Sequence, residues 1–319
     1  VRISAALPHG VHALLFDSAR RRRALESALV DLFEEAGFAE VILPILDYVE
    51  PYESMLTPAS RGELYRFIDR DGELLSLRSD FTPMLARLLA PRLDSLALPL
   101  RLFYRGDVVR YGEERAGRQR ELYQMGAELL GLPGVEAEHE MLRLFLQTLT
   151  ATGAGSVQVV LGFAGALDRL LLAGSDDPTR LVEAVARRER GEVRRASPVL
   201  LEIVERGLPA DPDALGIEAA SRLLNLLRLR DELSRLFPQV HLAVDLAEFV
   251  HQVLDPRLAA AAGERAYYDG LVFQAYVRDT ALPVGGGGRY DRLFRSLGAE
   301  VPAVGFSLGL DLLHDQEAA

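Results

Sequence analysis

RLFYRGDVVRYGEERAGRQRELYQMGAELLG, residues 101–131, is the stretch whose reading decides the fold. Leu102, Tyr104, Val108 and Arg110 alternate along its first part, and Leu122, Gln124, Glu128 and Leu130 along its second. A period of two places each set on one face of a strand. The charged segment 112–117 supplies the connection, so the stretch predicts a hairpin. Arg110, Gln124 and Glu128 then share their faces with aliphatic side chains. An ionised group buried without a partner is very costly. The three therefore either satisfy one another in a polar cluster or line a cavity. The cavity is the preferred reading, because a guanidinium, an amide and a carboxylate on one hairpin suit a zwitterionic ligand.

Toward the N-terminus, LPHGV opens on an apolar, turn-rich arm. His9 and His12 have a ligand-like spacing but no acidic or histidine partners in sequence, so a packed arm is preferred to a metal site. Residues 18–36 predict a helix with Leu25, Leu29, Leu32, Phe33 and Ala36 on one face, Asp17 or Ser18 as its cap and Gly37 as its end. FAEVILPILDYV follows as a strand broken by Pro44, which cannot donate to a ladder and so marks an edge or an interruption. Residues 66–77 predict a hairpin turning at Asp71-Gly72. They lead into LRSDFTPMLARLLA, where Asp80 or Ser79 caps a helix beginning near Phe81 and Thr82.

Toward the C-terminus, 135–151 predicts a helix with Met141, Leu142, Phe145, Leu146 and Leu149 inward and His139 on the solvated side. Residues 156–162 predict a buried strand. Over 176–238 strand signals vanish and arginine, leucine and glutamate dominate, which reads as a helical insertion. Its pairs Arg187-Arg188 and Arg194-Arg195 read first as solvated faces, with a partner-binding patch as the second reading. Sheet signals return at 239–246 and in AYYDGLVFQAYV. VGGGGRYDRLF then places four glycines before a helix, which allows close backbone approach. It is not a phosphate loop, since no GK[ST] follows.

Composition narrows the function classes. The 319 residues are 49% hydrophobic and 26% charged, as in an ordinary globular protein. There is no cysteine, and all 36 basic residues are arginine, which removes thiolate sites, disulfides and lysine Schiff-base chemistry. No apolar run reaches bilayer length and no signal-peptide pattern opens the chain, so a cytoplasmic protein is expected. A net charge of −11 disfavours a general nucleic-acid binder.

Arg110, Gly117-Arg118-Gln119-Arg120 and Gln124-Met125-Gly126-Ala127-Glu128 resemble the second signature motif of class II aminoacyl-tRNA synthetases, in its histidyl version. The helix and proline-broken strand of 18–50 are similar to the first motif, which in that family forms a dimer interface. PAVGFSLGLDLL takes the place of the third. YYDGLVF and GGGGRYD resemble two histidine-specific signatures. The fit of LPHGV, DRDGELLSLRSDFTPMLAR, the central hairpin and GGGGRYD is best with one branch, the regulatory subunits of ATP phosphoribosyltransferase. The resemblance implies one α+β domain over 1–319, an antiparallel sheet flanked by helices with the insertion at 176–238. It also implies a homodimer through 18–50, and no anticodon-binding domain is expected after the third motif.

The departures from the enzymes point to the same branch. The synthetase arginine four residues before the tyrosine pair is Gly263 here, with Arg265 two residues out of register. The glutamate-arginine that ends the third motif is Asp311-Leu312, and the acidic residue two after Arg110 is Gly112. Positioned arginines are worth roughly a thousandfold or more in some phosphoryl-transfer systems, so their loss implies no aminoacyl adenylation. The amino-acid side of the pocket is kept. By the resemblance, Asp80, Thr82, Arg110, Gln124, Glu128, Tyr267 and Tyr268 form a histidine pocket, with Asp80 and Thr82 beside the ammonium group. The implied role is a non-catalytic subunit required for activity and histidine feedback control of a short-form ATP phosphoribosyltransferase. No cofactor, metal, membrane or tRNA is expected; the expected partners are that catalytic subunit, a second copy of the chain and free histidine. Two alternatives stand beside this reading. One is an active amino-acid-activating enzyme; the other is a synthetase-like RNA-binding module. The pocket itself is either a working sensor or inherited scaffold.

Overall fold

The structure is a computed structural model, and it describes residues 7–52, 55–56, 58–111, 119–258, 267–277 and 282–314. The expected connection at 112–117, Gly117-Arg118, and the departures at Gly112, Gly263 and Arg265 lie outside the described residues.

The elements run α1 (Phe16–Glu35), β1 (Ala39–Glu40), β2 (Leu46–Tyr48), α2 (Pro58–Gly62), β3 (Arg66–Ile68), β4 (Leu74–Leu77), α3 (Thr82–Leu89), β5 (Leu100–Val109) and β6 (Glu121–Leu130). They continue as α4 (Val135–Ala151), β7 (Val157–Phe163), α5 (Asp168–Gly174), α6 (Pro178–Ala186), α7 (Arg190–Ala196), α8 (Pro198–Arg206), α9 (Ile217–Leu236) and β8 (Val240–Val244). The last are β9 (Leu271–Val277), β10 (Gly285–Arg289), α10 (Asp291–Ser296), β11 (Ala303–Gly309) and α11 (Asp311–His314).

Eight strands form one sheet in the order β1-β5-β6-β11-β10-β9-β7-β8, and β2-β4-β3 form a small second one. The large sheet is antiparallel except for its outermost pairs, β1 with β5 and β7 with β8, which are parallel. This is the expected α+β sheet with flanking helices. The hairpin is β5–β6, in the register Leu102↔Glu128, Gly106↔Gln124 and Val108↔Leu122. The helix predicted over 135–151 is α4, and all five of its inward residues are buried. The predicted insertion holds α6 to α9.

One face of the large sheet is apolar. Phe103, Met125, Ala127, Leu129, Phe273, Val304 and Phe306 pack there against α1 and α4. Ring pairs tie the layers: Phe33 to Phe103 at 5.4 Å and Phe145 to Phe273 at 4.9 Å between centroids. The insertion extends this core with Leu200, Ile203, Leu223 and Leu233. The other face, carrying the residues alternate to these, is left for α3, α10 and the Tyr267-Tyr268 segment.

Pro44 lies in the break between β1 and β2, which belong to different sheets, as a proline without a ladder donor requires. The expected cap of α1 is not found. The helix opens at Phe16 after Leu15, with no side-chain cap, and Asp17 sits inside the first turn beside Arg20 at 3.1 Å. An acid there complements the helix dipole. The apolar face of α1 also differs, because Ala36 is exposed and Glu26 is buried. Glu26 is satisfied by Arg23 (2.7 Å), Arg105 (2.6 Å) and the Tyr123 hydroxyl (2.6 Å), which periodicity cannot foresee.

The small sheet is tethered to α3 by one buried carboxylate. Asp47 on β2 accepts from Arg87 at 2.6 Å to each oxygen and from the Tyr52 hydroxyl at 2.6 Å. Removing one partner of a buried pair strands the others, but Arg87 is about a quarter exposed, so water recovers part of the loss. Asp47→Ala is expected to lower unfolding free energy by roughly 2–3 kcal/mol in urea titration, and Asp47→Asn by less. An unchanged midpoint for Asp47→Ala would remove the tether from the account.

Candidate functional site

The second face of the sheet carries the sequence-predicted residues because their parity puts them there. Glu128 and Gln124 on β6 stand beside Leu102, Tyr104 and Val108 on β5 and opposite Gly305 and Gly309 on β11. Glu128 is 1% exposed and Gln124 is 4% exposed. No bulk separates Glu128 from its neighbours: a Cβ on Gly305 would coincide with its Oε2. Gly126, between the two, leaves room for the Tyr104 ring, which stacks on Phe81 at 4.3 Å.

Helix α3 brings its first residue over this floor. Thr82 Oγ1 donates to Glu128 Oε1 at 2.7 Å, and the Tyr104 hydroxyl donates to the same oxygen at 3.3 Å. The Tyr290 hydroxyl donates to Oε2. Among the described residues no guanidinium lies within ion-pair distance of this carboxyl. It is a hydroxyl cage with no counter-ion among the described residues. Burial pushes the Glu128 carboxyl up to about 8, with nearby Asp80 adding to the rise and the three hydroxyls opposing it. The same burial holds the Tyr104, Tyr267, Tyr268 and Tyr290 hydroxyls above their ordinary range, so they remain donors.

The mouth is charged. Asp80 Oδ1 accepts from the Thr82 backbone N–H at 3.3 Å just ahead of α3, whose N-cap position is Phe81 with no side-chain cap rather than the expected Asp80 or Ser79, and Oδ2 lies 3.9 Å from Arg110 Nη2. Arg110 also donates through Nε to the Ser79 carbonyl at 2.8 Å. Both side chains keep more than a third of their surface in solvent. The aromatic wall is half-buried: Tyr267 and Tyr268 meet edge-to-face at 4.9 Å, and Tyr267 stacks on Tyr290 at 5.8 Å.

All seven predicted residues thus converge on one face of the sheet or its rim, without forming the mutual cluster weighed in the sequence. Arg110 reaches Asp80 rather than Glu128 or Gln124. The Gln124 Oε1 is buried with no hydrogen-bond partner. Such an orphaned acceptor on a site's floor is a ready point for a donor on a ligand. Tyr104 and Tyr290 were missed. Both were visible in principle: Tyr104 alternates with Leu102 and Val108, and Tyr290 is the tyrosine of the quoted GGGGRYD. Two open clefts of about 300 Å³ and 290 Å³ lie elsewhere, one between α1, α4 and α9 and one between α1 and the hairpin. Neither gathers the predicted residues. Among the described residues no cluster of histidines and carboxylates could hold a metal, so His9 and His12 form no such group. No described helix is long and apolar enough to cross a membrane.

The end of the third motif has a different use. Asp311 is buried, accepts from Arg22 at 3.0 Å and from the Tyr123 backbone N–H at 2.7 Å, and so locks α1 to β6 and α11.

A family model described as Histidyl-tRNA synthetase matches residues 10–313, and the chain belongs to that family. Within it, the chain stands with the ATP phosphoribosyltransferase regulatory subunits. One from Moorella thermoacetica is 35% identical over 96% of this chain and 80% of its own length. A Bacillus halodurans protein described as an ATP phosphoribosyltransferase regulatory subunit/histidyl-tRNA synthetase shares the fold, with a TM-score of 0.78 and 24% identity over 98% of this chain and 83% of its own. So does a chain of the Thermotoga maritima ATP phosphoribosyl transferase (HisG:HisZ) complex, with a TM-score of 0.66 and 22% identity over 91% and 97%.

The Glu128 carboxyl binds its proton more tightly in the folded chain than at its ordinary value of 4.5. Between that value and about 8 the native state therefore holds more protons than the unfolded one, and stability falls as pH rises. Urea titrations of wild type and Glu128→Gln at a series of pH values should show this fall steeper in wild type. Parallel profiles would mean that the carboxyl titrates normally.

Proposed function

We propose that the chain is the non-catalytic subunit required for activity and histidine feedback control of a short-form ATP phosphoribosyltransferase, acting in the cytoplasm, and that free histidine occupies the site around Glu128. The observation that carries this is a division within the site. The amino-acid side is a complete cage, while the place of the third motif's arginine is Leu312 beside an Asp311 already engaged by Arg22. The relatives' shared description as regulatory subunits supports the same reading.

Charge at the mouth and hydroxyls at the floor suit the two ends of histidine. Asp80 takes the ammonium group, with Thr82 fixing its carboxylate, and Arg110 stands beside it for the ligand's carboxylate. Gln124 and Glu128 receive N–H donors deeper in, against the ring surfaces of Tyr267 and Tyr268. A ligand N–H reaching Gln124 Oε1 also satisfies an acceptor that is otherwise unpaired. A homodimer through 18–50 is supported by exposed apolar side chains there and on the small sheet: Ile42 is 89% exposed, Tyr48 53% and Ile68 71%.

Three measurements test this. Histidine-dependent exchange of pyrophosphate into ATP should not rise above a no-protein control; exchange would favour an amino-acid-activating enzyme. A short-form phosphoribosyltransferase should gain activity and co-elute on mixing with this chain, whereas two unshifted peaks and an unchanged rate would remove the partner. Calorimetry should show histidine binding without ATP, weakened about tenfold or more by Glu128→Ala, since leaving a buried ligand donor without its partner costs roughly 1–3 kcal/mol. Absence of heat with millimolar histidine would make the cage inherited scaffold.

A further inference from the structure

Arg188 is an arginine of the insertion whose side chain hydrogen-bonds beyond it, to the segment after β8, while Arg222 reaches only the face of the Phe163 ring at 4.7 Å. Its backbone has φ 54, the left-handed region that an arginine rarely adopts. Conformations of this kind persist where the surroundings over-determine them. Here Nη1 donates to the Val204 carbonyl on α8 at 2.8 Å, and Nη2 donates to Asp245 Oδ2 at 2.6 Å and lies 3.6 Å from Glu248 Oε2. The neighbouring arginines differ: Arg187 pairs with Glu183 and Glu189 on its own surface, and Arg194 and Arg195 are exposed.

The segment that receives Arg188 is the one that holds the aromatic wall of the site. Asp245 Oδ1 accepts from the Ala247 and Glu248 backbone N–H groups at 3.0 and 3.3 Å, shaping the turn after β8. Glu248 accepts from the Tyr276 hydroxyl at 2.8 Å, which is itself 2.8 Å from the side-chain amide of Gln274 on the site face of β9. Phe249 is buried over Gly162, where a Cβ would strike its ring, and packs in one cluster with Val160, Val272, Tyr268 and Tyr276. Gln252 Oε1 accepts from the Tyr268 backbone N–H at 3.2 Å. Tyr268 then meets Tyr267, Tyr267 stacks on Tyr290, and Tyr290 donates to Glu128.

We infer that Arg188 is a positioning residue for the Tyr267-Tyr268 wall: by fixing the 245–252 segment it sets the Tyr268 backbone and ring, and so links the helical insertion to the ligand site. The ligand arm of this inference rests on the histidine reading above; the positioning arm does not. Contiguous contacts alone do not establish coupling, so the test must read Tyr268 itself.

Arg188→Gly is the discriminating variant, because glycine accepts the left-handed backbone while all the side-chain contacts are lost. Hydrogen exchange on the full chain, without ligand, should show several-fold faster exchange at the Tyr268 amide and over 245–252, with α1 and α4 unchanged. Arg206→Ala, which removes an arginine paired only with Glu202 on its own helix, should leave those amides as in wild type. Arg188→Lys keeps a charge within reach of Asp245 and should restore protection in part. Where histidine binds wild type, Arg188→Gly should weaken it about fivefold, within the range by which residues along connected networks modulate coupling. Unchanged exchange at Tyr268 would overturn the inference, and so would a uniform rise across the whole chain, which is general destabilisation. If wild type binds no histidine, the ligand reading fails while the exchange arm still decides the positioning role.

Discussion

A carboxyl group sealed beneath a sheet, with hydroxyls but no described cation in reach, is the constraint on which the site depends. The pairing of β5 with β6 puts Glu128 on the face away from α1 and α4. Once there, it can be accommodated only if neighbouring positions lack bulk and nearby side chains donate. Gly305 meets the first demand, and Thr82, Tyr104 and Tyr290 the second. The donors come from α3, β5 and the residue that follows β10, so distant parts of the chain are held to one point. Hydroxyls satisfy the lone pairs without neutralising the charge, which is why burial still lifts the carboxyl so far.

On the opposite face of the hairpin the apolar core gives way, toward the turn end, to ion pairs. Glu26 and Asp311, both buried, meet Arg105, Arg22 and Tyr123, and the Arg22 guanidinium lies 3.9 Å over the Tyr123 ring. These contacts join α1, β5, β6 and α11 into one unit. An acidic residue at the end of the third motif thus has a purely structural occupation. The aspartate is used to hold a helix, and its successor Leu312 is packed against the apolar core.

Strand and helix identity was largely legible because the decisive stretches were strongly periodic. The hairpin, α4, the break at Pro44 and the helical character of 178–236 could all be read from spacing, turn residues or composition. The shared face of Gln124 and Glu128 on β6 followed from parity. Glu26 was not legible, since a buried glutamate looks like any polar residue on a helix until its partners, remote in sequence, are known. The start of α1 was misplaced because Asp17 suits a cap and a first turn equally well. Tyr104 and Tyr290 were hidden for another reason: an aromatic residue in an alternating strand reads as core, and only the location of its hydroxyl shows that it serves a carboxyl. The role of Asp311 depended likewise on Arg22, which is far away in sequence.

The glycine strand β10 has a consequence for how such a site changes over generations. At Gly285 and Gly286 an added Cβ would lie 2.6 Å from a carbonyl oxygen of the adjoining strand, and at Gly287 and Gly288 it would meet one more closely still. The space beside this strand is occupied by the main chain of its neighbours, so its contour has no rotamers to vary. Inheritance therefore acts unevenly here. A hydroxyl of the cage can be lost by one substitution that leaves the sheet intact, whereas a glycine of β10 cannot be exchanged without displacing backbone. A lineage can abandon the ligand far more readily than it can reshape the recess that once received it.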